Sequence, residues 1–115
     1  MTFDELSTIL LSWDFVEPST HYGTPSFKVR GKMLTRLKED GDSIVIKGVD
    51  PDERAMLCEA DPDLYYFTDH YRNYPMLLMR LSRADPETVT TMLKRTYIAL
   101  LPKKHRPTLD SRRPG

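Results

Sequence analysis

FKVRGKMLTRLKEDGDSIVIK, residues 27–47, is the stretch that decides the fold class. Phe27 to Arg30 alternates apolar and basic side chains, Gly31 follows as a hairpin turn, and Met33 to Lys38 resumes an extended run. Alternation with period two marks a half-buried strand. Glu39-Asp40-Gly41-Asp42 is a second turn, with glycine where positive φ is tolerated. Ser43 to Lys47 then holds Ile44-Val45-Ile46, a β-branched run. Turns this short cannot carry a parallel crossover, so the three strands form an antiparallel meander.

On the N-terminal side, Thr2 and Glu5 have the spacing of a capping box, and Phe3, Leu6, Leu10 and Trp13 recur at helical spacing. This predicts a helix over residues 3–13. Pro18 and Gly23-Thr24-Pro25 predict a loop after it. On the C-terminal side, Asp50-Pro51-Asp52-Glu53 combines a capping carboxylate, a first-turn proline and acidic residues at the positive end of the helix dipole. That helix is expected to stop near Ala60, before Asp61-Pro62. Leu64 to Thr68 and Met76 to Leu81 read as strands around a His70–Pro75 loop. Asp85-Pro86-Glu87 opens a last helix whose stripe is Val89, Met92, Leu93, Tyr97, Leu100 and Leu101, and Pro102 closes it. The expectation is one α+β domain over residues 1–102 in two layers. It has an antiparallel sheet of about five strands with the N- and C-terminal helices packed on one face. Residues 103–115 are expected to be a basic flexible tail.

The 115 residues are 39% hydrophobic and 30% charged, enough to bury a core and stay soluble, which excludes wholesale disorder. Apolar runs such as Met76-Leu77-Leu78-Met79 fall far short of the ~20 residues a membrane helix needs. Met1-Thr2-Phe3-Asp4-Glu5 is wrong for a secretion signal, so a cytoplasmic protein is expected. Cys58 stands alone and can form neither an intrachain disulfide nor a cysteine metal cage. Seventeen basic and 17 acidic residues cancel, but unevenly. Residues 1–102 hold 12 basic and 16 acidic groups, net −4, while 103–115 hold five basic groups and one acidic, net +4.

The order and spacing of His21-Tyr22-Gly23-Thr24-Pro25-Ser26-Phe27-Lys28-Val29, Gly31-Lys32, Asp50-Pro51-Asp52-Glu53-Arg54, Glu59-Ala60-Asp61-Pro62 and His70-Tyr71 to Tyr74-Pro75 resemble the MmcQ/YjbR family. The resemblance spans about residues 1–102. It implies a CyaY-like, double-wing fold and a DNA-binding-like role without enzyme activity. Tyr97 stands where many members carry Trp. Iron-binding relatives of that fold use an acidic helix ridge, and Asp4, Glu5 and Asp14 are too few to supply one.

The residues carry no Gly-x-Ser-x-Gly elbow, phosphate-cradling glycine loop or His-Glu-x-x-His helix, so no enzyme and no cofactor is expected. Cys58 beside Met56 and Leu57 reads as a buried, inert thiol, and Asp61 and Asp63 as a helix-ending turn. His21, His70 and His105 lie apart, so no metal site is expected. Binding is the better case. If the apolar positions of each strand face the helices, Lys28, Arg30, Arg36, Lys38, Lys47 and Arg80 gather on one open sheet face, with Lys32 in the turn beside them. Such a face is the footprint that phosphate contacts require, although solvated Lys and Arg also simply keep a sheet soluble. His21, Tyr22 and Phe27 from one loop, with His70, Tyr71 and Tyr74 from another, form a candidate ligand pocket. The expected function is a monomeric, non-enzymatic DNA-binding module. The alternative is a protein- or small-ligand-binding accessory domain using the His21–Phe27 and His70–Pro75 loops.

Overall fold

The computed structural model describes residues 1–105. Its order is α1 (Phe3–Leu11), β1 (Val16–His21), β2 (Thr24–Val29), β3 (Lys32–Arg36), β4 (Ser43–Lys47), α2 (Pro51–Ala60), β5 (Tyr65–Tyr66), β6 (Met76–Arg80) and α3 (Pro86–Leu100), with 3-10 turns at Asp69–Tyr71, Leu81–Arg83 and Lys103–His105. The helix starts follow the local chemistry. Thr2 Oγ1 accepts from the Glu5 amide at 3.1 Å while the Thr2 amide donates to Glu5 Oε1 at 2.9 Å. Asp50 accepts from the Glu53 amide and Asp85 from the Thr88 amide, each at 2.8 Å.

The strands depart from one five-stranded sheet. Six strands form two three-stranded antiparallel sheets, β1-β2-β3 and β4-β6-β5. A Leu37–Ile44 bridge and a 2.7 Å bond from the Lys38 amide to the Ser43 carbonyl link them across the Glu39–Asp42 turn. The additional strand is β1, where a loop is expected from Pro18. Pro18 lies on the sheet's edge strand, where a missing N–H costs no ladder bond. Tyr22 and Gly23 (φ 52° and 78°) turn β1 into β2, and Arg30 and Gly31 (φ 51° and 85°) turn β2 into β3. Two consecutive positive φ values are the mark of the tight hairpin turn whose twist matches the strands. Arg30 is therefore a turn residue, not a strand residue.

The main core joins Leu6 and Leu10 of α1 and Val89, Met92, Leu93 and Tyr97 of α3 to Phe27, Val29, Leu34, Ile44, Ile46, Leu77 and Met79 of the sheets. The terminal helices thus pack on residues of both sheets, where one five-stranded sheet is expected. Trp13 packs on Tyr97, with ring centroids 4.9 Å apart, and the Tyr97 hydroxyl donates to the Asp14 carbonyl at 2.9 Å. The other face of β4 and β6 is also covered. Val45 and Leu78 are buried there with Tyr71, and Tyr66 and Met76 pack against them. Residues 68–75 reach this position because Arg54, 4% exposed, donates to the carbonyls of Tyr71, Tyr74 and Met76 at 2.9, 2.9 and 3.2 Å and to that of Arg72 at 2.9 Å. Its guanidinium also stacks 3.9 Å from the Phe67 ring centroid.

Candidate functional site

Strand register places Lys28, Arg36, Lys47 and Arg80 away from the α1–α3 core. Lys28 alternates with core Phe27 and Val29 and pairs with Glu17, Arg36 pairs with Ser26, and Lys47 and Arg80 flank Val45 and Leu78 on β4 and β6. Lys38 reaches the same side, where its Nζ donates to the Tyr71 hydroxyl at 3.2 Å. Arg36 turns this way although Leu34, two residues earlier, lies in the core, because the β2–β3 register shifts between Phe27 and Lys28.

That face is not an open track for phosphates. Arg36 is only 6% exposed, and it donates to Thr24 Oγ1 at 3.2 Å and to Glu39 Oε1 at 3.2 Å. Glu39 lies 3.7 Å from Lys38 as well, so one carboxylate offsets two of the expected contacts. The Glu39 amide, then the Arg36 guanidinium, hold that carboxyl below its ordinary value. Lys47 Nζ donates to the Met33 carbonyl at 3.1 Å. Arg80 donates to the carbonyls of Pro62 and Asp63 at 3.2 and 3.3 Å and lies 3.9 Å over the Tyr66 ring. Beside it, Ser43 bonds both Asp40 and the Tyr66 hydroxyl. Burial pushes Asp40 upward, but bonds from the Ser43 hydroxyl and amide, the Asp42 amide and Tyr66 outweigh it, and Asp40 is held below its ordinary value.

The two-loop pocket also changes. Phe27 leaves it: the ring is 2% exposed and packs 5.8 Å from Phe3 in the main core. His21 and Tyr22 form one ring pair at the β1–β2 tip, centroids 4.3 Å apart. His70 lies 5.0 Å from Tyr71 and 6.4 Å from Tyr74 in the other loop. Tyr71 is buried against the sheet, so this loop is a cover and not a free wall. Cys58 is partly buried against the core, and burial pushes its thiol upward. Among the described residues no group of three or more His, Cys, Asp or Glu is placed to hold a metal ion, and no helix is long and apolar enough to cross a membrane.

Of the cations expected to meet phosphate, the exposed ones lie at the β2–β3 turn. Arg30 and Lys32 are exposed, and with Leu100, Leu101, Pro102 and Lys103 they line a cavity of about 290 Å³. Arg30 also lines a second cavity of about 300 Å³ with Phe15 and Glu17. The ion pairs among the described residues are Arg36–Glu39, Lys38–Glu39, Arg72–Asp69 and Arg95–Glu53, so none engages Arg30, Lys32 or Lys103. Lys103 is expected to lie in a flexible tail, yet it opens a 3-10 turn in which the His105 amide donates to the Pro102 carbonyl at 2.8 Å. The rest of that tail, residues 106–115, lies outside the described residues. Phe15, Glu17 and Lys103 carry no motif. Only the folding of the Asp14–Val16 corner and the end of α3 toward the hairpin turn brings them beside Arg30.

The YjbR family model matches residues 11–99. The chain belongs to the YjbR family. The crystal structure of Deinococcus radiodurans protein DR2400, whose family-model domain is DUF419, is similar to this YjbR chain with a TM-score of 0.67. The two are 18% identical, and the match covers 96% of this chain and 86% of that one, a likeness of fold. No curated protein matches.

Proposed function

We propose that this YjbR domain is a non-enzymatic, cytoplasmic binding module that grips nucleic-acid phosphates at the β2–β3 turn and the end of α3, in place of the sheet face. In this reading the hairpins are the wings of a CyaY-like, double-wing architecture. The observation that carries it is the shared cavity of Arg30, Lys32 and Lys103, three cations without a carboxylate partner among the described residues. A chain of zero net charge needs such local sorting before a polyanion is attracted. Each phosphate neutralised releases condensed counterions, which is the favourable term.

The test is fluorescence anisotropy of the full chain with labelled duplex DNA over a salt series. The logarithm of affinity is expected to fall linearly with the logarithm of salt, by roughly 0.9 per contact. Arg30→Asn with Lys32→Gln should flatten that slope by about two units, since asparagine tolerates the left-handed backbone at residue 30. Lys47→Gln with Arg80→Gln should leave it unchanged. If only substitution of Arg106, Arg112 and Arg113 alters the slope, the hairpin has no part in binding. The second reading, a protein- or small-ligand-binding accessory domain, draws on Tyr22 and Tyr74, which are 81% and 53% exposed. Indifference to DNA at every salt concentration favours it.

A further inference from the structure

We infer that the cavity of Phe15, Glu17 and Arg30 receives an unpaired guanine base whose phosphate lies in the adjoining cavity of Arg30, Lys32 and Lys103. This rests on the phosphate reading above and adds the ligand class. Arg30 lines both cavities, of about 300 and 290 Å³, so the two are neighbours that share this residue. One is edged by an aromatic ring and a carboxylate, the other by cations. A nucleotide has the same division between base and phosphate.

Phe15, with Tyr22 and Arg30, is a non-glycine residue at positive φ, and unlike those two it lies outside the hairpin turns. It is a bulky side chain with φ 70°, a left-handed backbone that such residues rarely adopt, and the residue is 38% exposed. Strain that persists without burial to offset it is found at ligand clamps. The ring's orientation is set by His105, with centroids 4.8 Å apart, and by Arg30, 5.7 Å from its centroid. A base therefore meets the exposed part of a positioned aromatic ring and an arginine, and aromatic faces and guanidinium planes stack on nucleobases. Glu17 is exposed on edge strand β1. A carboxylate accepts hydrogen bonds and donates none. Guanine presents two adjacent donors, N1–H and the exocyclic amine, on its Watson–Crick edge, and a carboxylate takes both together. In a duplex that edge is already paired, so the cavity selects unpaired strands. Glu17 also repels phosphate, which leaves the phosphate to the neighbouring cations.

The experiment titrates the full chain with a labelled single-stranded oligothymidylate carrying one dG, the same strand carrying dA, the dG strand as a duplex, and guanosine monophosphate. The dG strand should bind at least about tenfold more tightly than its duplex or the dA strand, the scale of one stacked base. Phe15→Leu should remove the single-strand preference and leave duplex affinity unchanged. Glu17→Gln, a surface change on an edge strand, should abolish dG over dA discrimination even if Phe15→Leu folds poorly. Guanosine monophosphate binding as tightly as the dG strand identifies a free nucleotide as the ligand, and weaker binding identifies a strand; both support the cavity assignment. Equal affinity for all strands, lost in Arg30→Asn/Lys32→Gln and unmoved by Glu17→Gln, overturns the base site and leaves the phosphate reading standing. No binding to any of these overturns both.

Discussion

Arg54→Met removes the guanidinium that fastens residues 71–76 while keeping a long apolar side chain in the same space. Four backbone carbonyls then lose this donor, those of Tyr71, Arg72, Tyr74 and Met76, although those of Tyr71 and Tyr74 keep the amides of Tyr74 and Met76. The bond to Tyr71 is fully buried and the other three partly so. An orphaned buried acceptor costs roughly 1–3 kcal/mol, and partly hydrated ones cost less. The expected loss is about 3–5 kcal/mol, roughly two of the ~1.5–3 kcal/mol contributions that hydrogen bonds to a charged group make, since two of the four carbonyls keep another donor. Against a total stability of about 5–15 kcal/mol this is large enough to threaten folding at 37 °C. Urea unfolding followed by Trp13 fluorescence should show the midpoint falling by about 2 M at unchanged slope. Arg54→Lys should recover little, because a compact ammonium cannot span four carbonyls as a planar fork does. A loss below about 0.5 kcal/mol for Arg54→Met would show that water replaces the guanidinium, and the fastening argument would be wrong.

Two further outcomes follow from the packing and the ion pairs. Leu93, fully buried between α3 and the sheets, should cost about 2–5 kcal/mol when changed to alanine, measured by the same denaturation. Glu53 is held below its ordinary carboxylate range, first by the Arg95 guanidinium at 2.8 and 2.9 Å, with burial opposing. Its folded value is depressed, so the pair's contribution is full above the unfolded value of about 4.3 and is lost as pH falls through the folded one. Glu53→Gln should therefore be less stable than the parent at pH 7 and converge with it as pH falls through the depressed folded value in a pH series of thermal unfolding.

Much of the fold was legible because its signals are local. Capping residues act within three positions, so Thr2, Asp50 and Asp85 announce all three long helices. The turn at Gly31 and the Ile44-Val45-Ile46 run likewise need only their neighbours. Strand β1 was not legible, because a proline is compatible with a strand only at an edge, and being an edge is a property of the finished sheet. The split into two sheets was hidden for a related reason. It depends on the turn at Glu39–Asp42 leaving a single bridge between Leu37 and Ile44. Arg54 was visible only as part of a helix start. Its acceptors lie 17 to 22 residues away, beyond the reach of any spacing rule.

By itself the sequence determined the family, the α+β class and the helix boundaries to within a turn. Caps act within three positions, so they need no tertiary information. Only the tertiary structure decided which cations remain available. Arg36 is neutralised from within its own turn by Glu39, but Lys47 is held by the Met33 carbonyl and Arg80 by those of Pro62 and Asp63, partners 14 to 18 residues distant. A charge is free or engaged according to what lies within hydrogen-bond reach, a condition met through space. The chain acquires an accessible cationic site where the end of α3 meets the hairpin turn, and Arg30, Lys32 and Lys103 come together only there.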